Sequence, residues 1–113
     1  MGQFNQEEVI MNLVVNGGDG RGKALKAIDA AKDNQMDLAD QLLKESNEAL
    51  LKAHQFQTQL IQENMGEAGE KPDLLMVHGQ DHLMTAMLAY DIAVKMVEMY
   101  RIFYSKNNQE VPI

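Results

Sequence analysis

Between Gln35 and Asn64, the residues Ala39, Leu42, Leu43, Ser46, Ala49, Leu50, Ala53, Leu60 and Ile61 recur at three- and four-residue steps. That spacing is one stripe along a helix of 3.6 residues per turn, and a stripe of this length must be buried against partners of the same period. Two further segments supply them. The first begins at Asn5, whose side chain can cap free amides with Glu8 three residues later, and continues through Val9, Ile10, Leu13 and Val14. It is expected to break at Gly17-Gly18-Asp19-Gly20-Arg21-Gly22 and to resume through Ala24, Leu25, Ile28 and Ala31. The third runs from about Leu74 to Tyr104. No alternating strand pattern competes, apart from the short apolar run at Val9–Val15. The expectation is an all-α, antiparallel three-helix bundle forming a single domain over residues 1–113. Met65–Asp73, with two Gly, one Pro and four charges, reads as a mobile connection, and the polar tail 105–113 is expected to fray.

The third segment carries two apolar faces. Leu83, Met87, Tyr90, Val94 and Val97 cluster on one side, and Leu88, Ile92, Met96, Met99 and Phe103 nearly opposite, with Asp91, Lys95 and Glu98 in a strip between. One face completes a three-helix monomer. The second calls for another partner, and a second copy of the chain is the simplest one; a central position between two helices of the same chain is the alternative.

Ten Lys+Arg against 17 Asp+Glu give a formal charge of −7, and the basic residues are scattered. Binding to a phosphate backbone needs clustered cations, so a nucleic-acid partner is not expected. With no Cys, disulfides, thiolate nucleophiles and zinc ribbons are excluded, and a reducing cytoplasm is the expected location. The opening Met1–Glu8 has neither a basic run nor a long apolar stretch, so no signal peptide or membrane span is expected there.

Candidate chemistry concentrates at the start of the third helix, in Val77-His78-Gly79-Gln80-Asp81-His82-Leu83-Met84-Thr85. His78, Asp81, His82 and Thr85 share one side, which continues downstream as the second apolar face. A helix start offers free amides and partial positive charge to an anion such as phosphate. A neutral histidine there can act as a nucleophile if a neighbour fixes which ring nitrogen holds the proton. The same spacing equally suits two hydrogen-bonded interface histidines. Asp81 is the odd member, because an unpaired carboxylate on a self-association face is costly. If several copies meet about an axis, protonation, hydrogen bonding or a shared hard divalent cation with one oxygen ligand per subunit would resolve it. Orienting a histidine, or sitting idle at a solvated rim, are the other options.

Three features compete for attention. Gly17–Ala24 almost matches the G-x-x-x-x-G-K-[ST] phosphate loop, but Ala24 lacks the hydroxyl that magnesium needs and no parallel-sheet pattern follows; a helix break or hinge is the expected reading. His78-x-x-Asp81-His82 resembles a zinc-hydrolase helix without its glutamate base. His54, near the edge of the second stripe, could approach the His78 region of a neighbour or serve no function. On residues alone, a helical regulatory or interaction module remains open beside a histidine-based activity.

The segment Val77–Thr85 closely resembles the V-H-[AG]-Q-D-H-L-M-T stretch of the lactose/cellobiose-class enzyme IIA proteins of the bacterial sugar phosphotransferase system. Asn16-Gly17 with Ala24-Leu25, and Asn47-Glu48-Ala49 leading to Ala53–Thr58, resemble the first and second helices of the same family. The resemblance implies a phosphocarrier that takes a phosphoryl group from the phosphohistidine of HPr and passes it to a cysteine of the cognate enzyme IIB, with membrane enzyme IIC engaged indirectly. It implies phosphorylation of His78 at Nε2, assisting roles for Gln80 and His82, and a homotrimer with a divalent cation, generally magnesium, held on the axis by Asp81 of each subunit. A carrier of this kind binds no sugar itself, so the disaccharide served is not written in the chain.

Overall fold

The computed structural model describes residues 5–63 and 74–110, with side chains through 107. They form three helices, α1 (Gln6–Lys32), α2 (Met36–Glu63) and α3 (Leu74–Glu110), and no strand occurs among them. The segment Met65–Asp73, expected to be a mobile connection, lies outside the described residues. Asn5 caps α1 as expected: its side-chain oxygen accepts from the Glu8 amide at 3.1 Å. At the other end, Asn34 takes a left-handed conformation with φ 60°. Its amide donates to the Ala31 carbonyl at 3.0 Å and the Gln35 amide to Ala30 at 2.8 Å, which satisfies two carbonyls of the last turn and reverses the chain into α2.

The expected break in α1 is absent. Residues 17–22 continue the helix, and none of their glycines has positive φ. Propensity is overridden by packing, because Gly20 lies where α2 crosses. A Cβ at this position would stand 2.6 Å from Leu50 Cδ2 and 3.2 Å from the Ser46 carbonyl oxygen. The buried Ser46 hydroxyl donates to the Gly20 carbonyl at 2.6 Å, so the missing side chain lets two backbones approach within reach of one short polar group. The same segment is therefore neither a hinge nor a phosphate loop. Its Lys23 pairs with Asp19 at 3.4 Å and with Glu45 of α2 at 3.2 Å.

Cross-contacts fix the topology. Gly79 backs onto Ile10 and Leu13, Gly17 onto Leu83, and the Tyr104 hydroxyl donates to the Lys32 carbonyl, so α1 and α3 run parallel. Arg101 meets Asp40 at 2.6 Å and Gln57 meets Gln80, so α2 runs antiparallel to both. The core divides by residue size. Ile10, Leu13, Leu50, Leu60, Met76 and Leu83 fill the end that carries His78, while Ala27, Ala30, Ala31, Ala39 and Val97 let the helices close together at the far end.

The two-faced reading of α3 holds. Leu83 and Val97 are buried and Met87 and Tyr90 half-buried, with Val94 at the margin. On the other face Met96 is half-buried, while Leu88, Ile92, Met99 and Phe103 keep 59%, 46%, 67% and 53% of their surface exposed, so none of the described residues covers those four. The helix itself runs to Glu110, six residues beyond the end read from periodicity at Tyr104.

Candidate functional site

His78 is the fifth residue of α3, one turn in from Leu74. One turn further, His82 brings its Nε2 to 3.0 Å from His78 Nε2, with ring centroids 4.4 Å apart and ring planes at 84°. His78 is exposed and His82 half-buried. In a neutral pair one Nε2 donates and the other accepts. When His82 donates, the His78 proton sits on Nδ1 and the lone pair on Nε2, the tautomer a nucleophile needs.

The remaining polar residues divide around the helix. Thr85 Oγ1 lies 3.0 Å from the Asp81 carbonyl and 3.1 Å from the His82 carbonyl, so its hydroxyl is turned back onto the backbone and away from the imidazoles. Asp81 is exposed, forms no ion pair among the described residues, and stands in line with the uncovered apolar face of α3. Gln80 is about 160° around the helix from His78. It faces α2, where Gln57 Nε2 donates to its Oε1 at 2.5 Å in a half-buried setting. Within one subunit Gln80 therefore does not reach the imidazole pair. His54 lies apart as well, in a cleft of about 260 Å³ between α2 and α3 with Asn47, Leu51, Tyr90 and Asp91.

Among the described residues no group of three or more His, Cys, Asp or Glu side chains could hold a metal. The two imidazoles bond directly to each other through the nitrogens a zinc ion would need, and Asp81 contributes nothing to that pair. A lone exposed carboxylate fits a divalent ion only if each of several subunits supplies one ligand.

The Gln57 partnership was not legible beforehand. Its only signal is that Gln57 falls between the stripe residues Ala53 and Leu60, at the margin of the face α2 turns to α3.

The family described as "PTS system, Lactose/Cellobiose specific IIA subunit" matches residues 8–101. The chain belongs to that family. This IIA subunit is 44% identical over 94 residues to the lichenan-specific phosphotransferase enzyme IIA component of Bacillus subtilis strain 168, covering 83% of this chain and 86% of that one. It is 39% identical over 101 residues to the lactose-specific EIIA component of Staphylococcus epidermidis, covering 87% and 97%. Among solved structures, the cellobiose-specific enzyme IIA of Bacillus anthracis superposes with a TM-score of 0.85 at 31% identity over 93% of this chain and 96% of that one. The IIA(Chitobiose) of Escherichia coli, solved in complex with HPr, gives a TM-score of 0.79 at 36% identity over 90% and 99%. The IIA bundle is thus shared across members named for different sugars. No described helix of this subunit is long and apolar enough to cross a membrane.

Proposed function

We propose that this IIA subunit is a phosphocarrier in disaccharide uptake, accepting a phosphoryl group from phospho-HPr on His78 Nε2 and delivering it to a cysteine of its cognate enzyme IIB. The observation that carries the reading is the exposed His78 ring, held by His82 through Nε2 on a continuous helix within the range the family matches. The solved complex of the chitobiose relative with HPr supports HPr as the donor. In the forward step the His78 Nε2 lone pair attacks phosphorus as the bond to the HPr histidine breaks, and that bonding pair returns to the HPr ring nitrogen. The His82 Nε2–H, no longer bonded to a nitrogen that now carries phosphorus, becomes a donor to a phosphoryl oxygen. In the second step the thiolate of IIB attacks the same phosphorus and His78 leaves as neutral imidazole once Nε2 is free. Sugar recognition belongs to membrane enzyme IIC, which this chain serves indirectly, from the cytoplasm.

The uncovered face of α3 supports assembly as a homotrimer with three such faces meeting on an axis. Asp81 lies in that face, and one carboxylate from each subunit would hold a magnesium or other divalent ion, whose charge would offset the repulsion among them.

The test is peptide-resolved mass spectrometry under conditions that preserve phosphohistidine, after incubation with enzyme I, HPr and phosphoenolpyruvate. One phosphoryl group on His78, absent in His78→Ala and removed by IIB, is the expected result. No transfer from verified phospho-HPr to the folded protein would instead leave a helical interaction module as the better description.

A further inference from the structure

We propose that Gln57 is a positioning residue for the chemistry of His78, acting through Gln80; the proposal rests on the phosphocarrier reading above. The first turn of a helix is where the backbone frays most readily, since its amides have no acceptors within the helix. His78 stands at the edge of that turn, and its bond to His82 exists only while residues 78–82 stay helical. Two kinds of contact hold the segment. On the α1 side the bare Gly79 lies against Ile10 and Leu13, where an added Cβ would be 3.1 Å and 3.3 Å from their methyl groups. Such apolar contacts fix the spacing of two helices but are non-directional, so they resist rotation and sliding weakly. On the α2 side Gln57 Nε2 donates to Gln80 Oε1 at 2.5 Å. That bond is directional, and it pins one register position of α3 to one of α2.

Gln80 points about 160° away from His78 around the helix. A fastener on that side sets the direction in which His78 points on the other, as a peg through one side of an axle sets the handle opposite. Because both amides are half-buried, water replaces the lost partner poorly. Gln80 thus serves His78 of its own subunit through the backbone rather than by touching its phosphoryl group.

The experiment uses the full-length protein and measures the initial rate of phosphoryl acceptance across phospho-HPr concentrations, together with long-range 1H–15N NMR of the His78 and His82 ring nitrogens. Gln57→Met keeps the length of the side chain without its hydrogen bond. It should lower the maximal rate by roughly fivefold to tenfold, leave the half-saturating phospho-HPr concentration unchanged, and erase the hydrogen-bond signature of the imidazole pair. Gln57→Glu, whose carboxylate accepts from the Gln80 amide once that amide turns over, should restore most of the rate and the signature. Gln80→Met should match Gln57→Met, and the double variant should be no worse than either single one. Losses that multiply in the double variant would overturn the proposal, as would an unchanged rate and imidazole signature in Gln57→Met. If Gln57→Met does not fold, Gln80→Met and Gln57→Glu decide by the same criteria. A wild-type chain that takes no phosphoryl group on His78 would sink the phosphocarrier reading, while the imidazole spectra would still decide whether Gln57 positions the pair.

Discussion

Ser46 donates to the carbonyl of Gly20 at 2.6 Å, and Leu50 occupies the space that a side chain at Gly20 would need. The four glycines of the 17–22 stretch are therefore not equivalent. Gly20→Ala should destabilise the subunit by about 1–2 kcal/mol, since the clash with a buried leucine outweighs the gain in helix propensity. Gly18 and Gly22 have open space at the Cβ position. Alanine at either should raise stability by roughly 0.5–1 kcal/mol. Denaturant unfolding of the three variants checks the contrast, and a stabilised Gly20→Ala protein would contradict this account of the crossing.

If His82 steers the His78 lone pair by donating from Nε2, a residue that cannot donate there should slow phosphoryl acceptance. His82→Leu should cost about tenfold in rate while the helix content stays unchanged, and His82→Gln, with an amide N–H of similar reach, should recover part of it. Quenched-flow transfer from phospho-HPr reads both. Equal rates in wild type and His82→Leu would show that the imidazole pair is a structural contact only.

The proposed assembly through the uncovered α3 face makes a separate prediction at Asp81. Asp81→Ala removes the carboxylate in line with the uncovered apolar residues, so trimers of the variant should form without a divalent cation and resist chelators, while His78 still accepts a phosphoryl group. Sedimentation with and without EDTA distinguishes the outcomes. Wild-type assembly that ignores chelation, combined with unchanged assembly of the variant, would leave no role for an axial ion.

Glu45 accepts from Gln41 at 3.0 Å and pairs with Lys23, and these two contacts, in that order, hold its carboxyl below the usual value of 4.5. A depressed carboxyl contributes stability above its unfolded value and loses it as pH falls through the folded one. Lys23 is shifted upward from 10.5, chiefly by Glu45, so its share is present below that value and disappears as pH rises further. The stability difference between wild type and Glu45→Gln should therefore be constant through neutral pH and disappear as pH falls from 4.5 through the lowered folded value. Because both side chains keep about a third of their surface in solvent, 30% and 36%, the difference should also shrink in high salt. Thermal unfolding across pH and salt provides the check.

The parts of this molecule that were legible in the sequence are those governed by periodicity. The stripe on α2 and the two faces of α3 repeat at helical spacing over many residues, and burial follows that spacing in the structure except at Ile61, which closes the stripe near the end of α2 and stays exposed. The Gly17–Gly22 stretch misled because propensity is a local quantity, whereas Gly20 answers to Ser46 and Leu50 from another helix. The His78–His82 contact follows from i, i+4 spacing and was readable. The partner of Gln80 was not, since a hydrogen bond across helices depends on their relative height, which no single stretch of sequence contains.

The tight reversal at Asn34 orders events in time. It joins two helices that meet along their length, so α1 and α2 can find each other after closing only a short loop, whereas the parallel docking of α3 on α1 must wait for a chain that has spanned the whole of α2. The helix bearing the histidines is then expected to be the last to settle and the first to detach. Replacements at the Gly20–Ser46 crossing should slow refolding, and replacements at Gly79 should mainly hasten unfolding, a division that stopped-flow chevrons of the two sets would reveal.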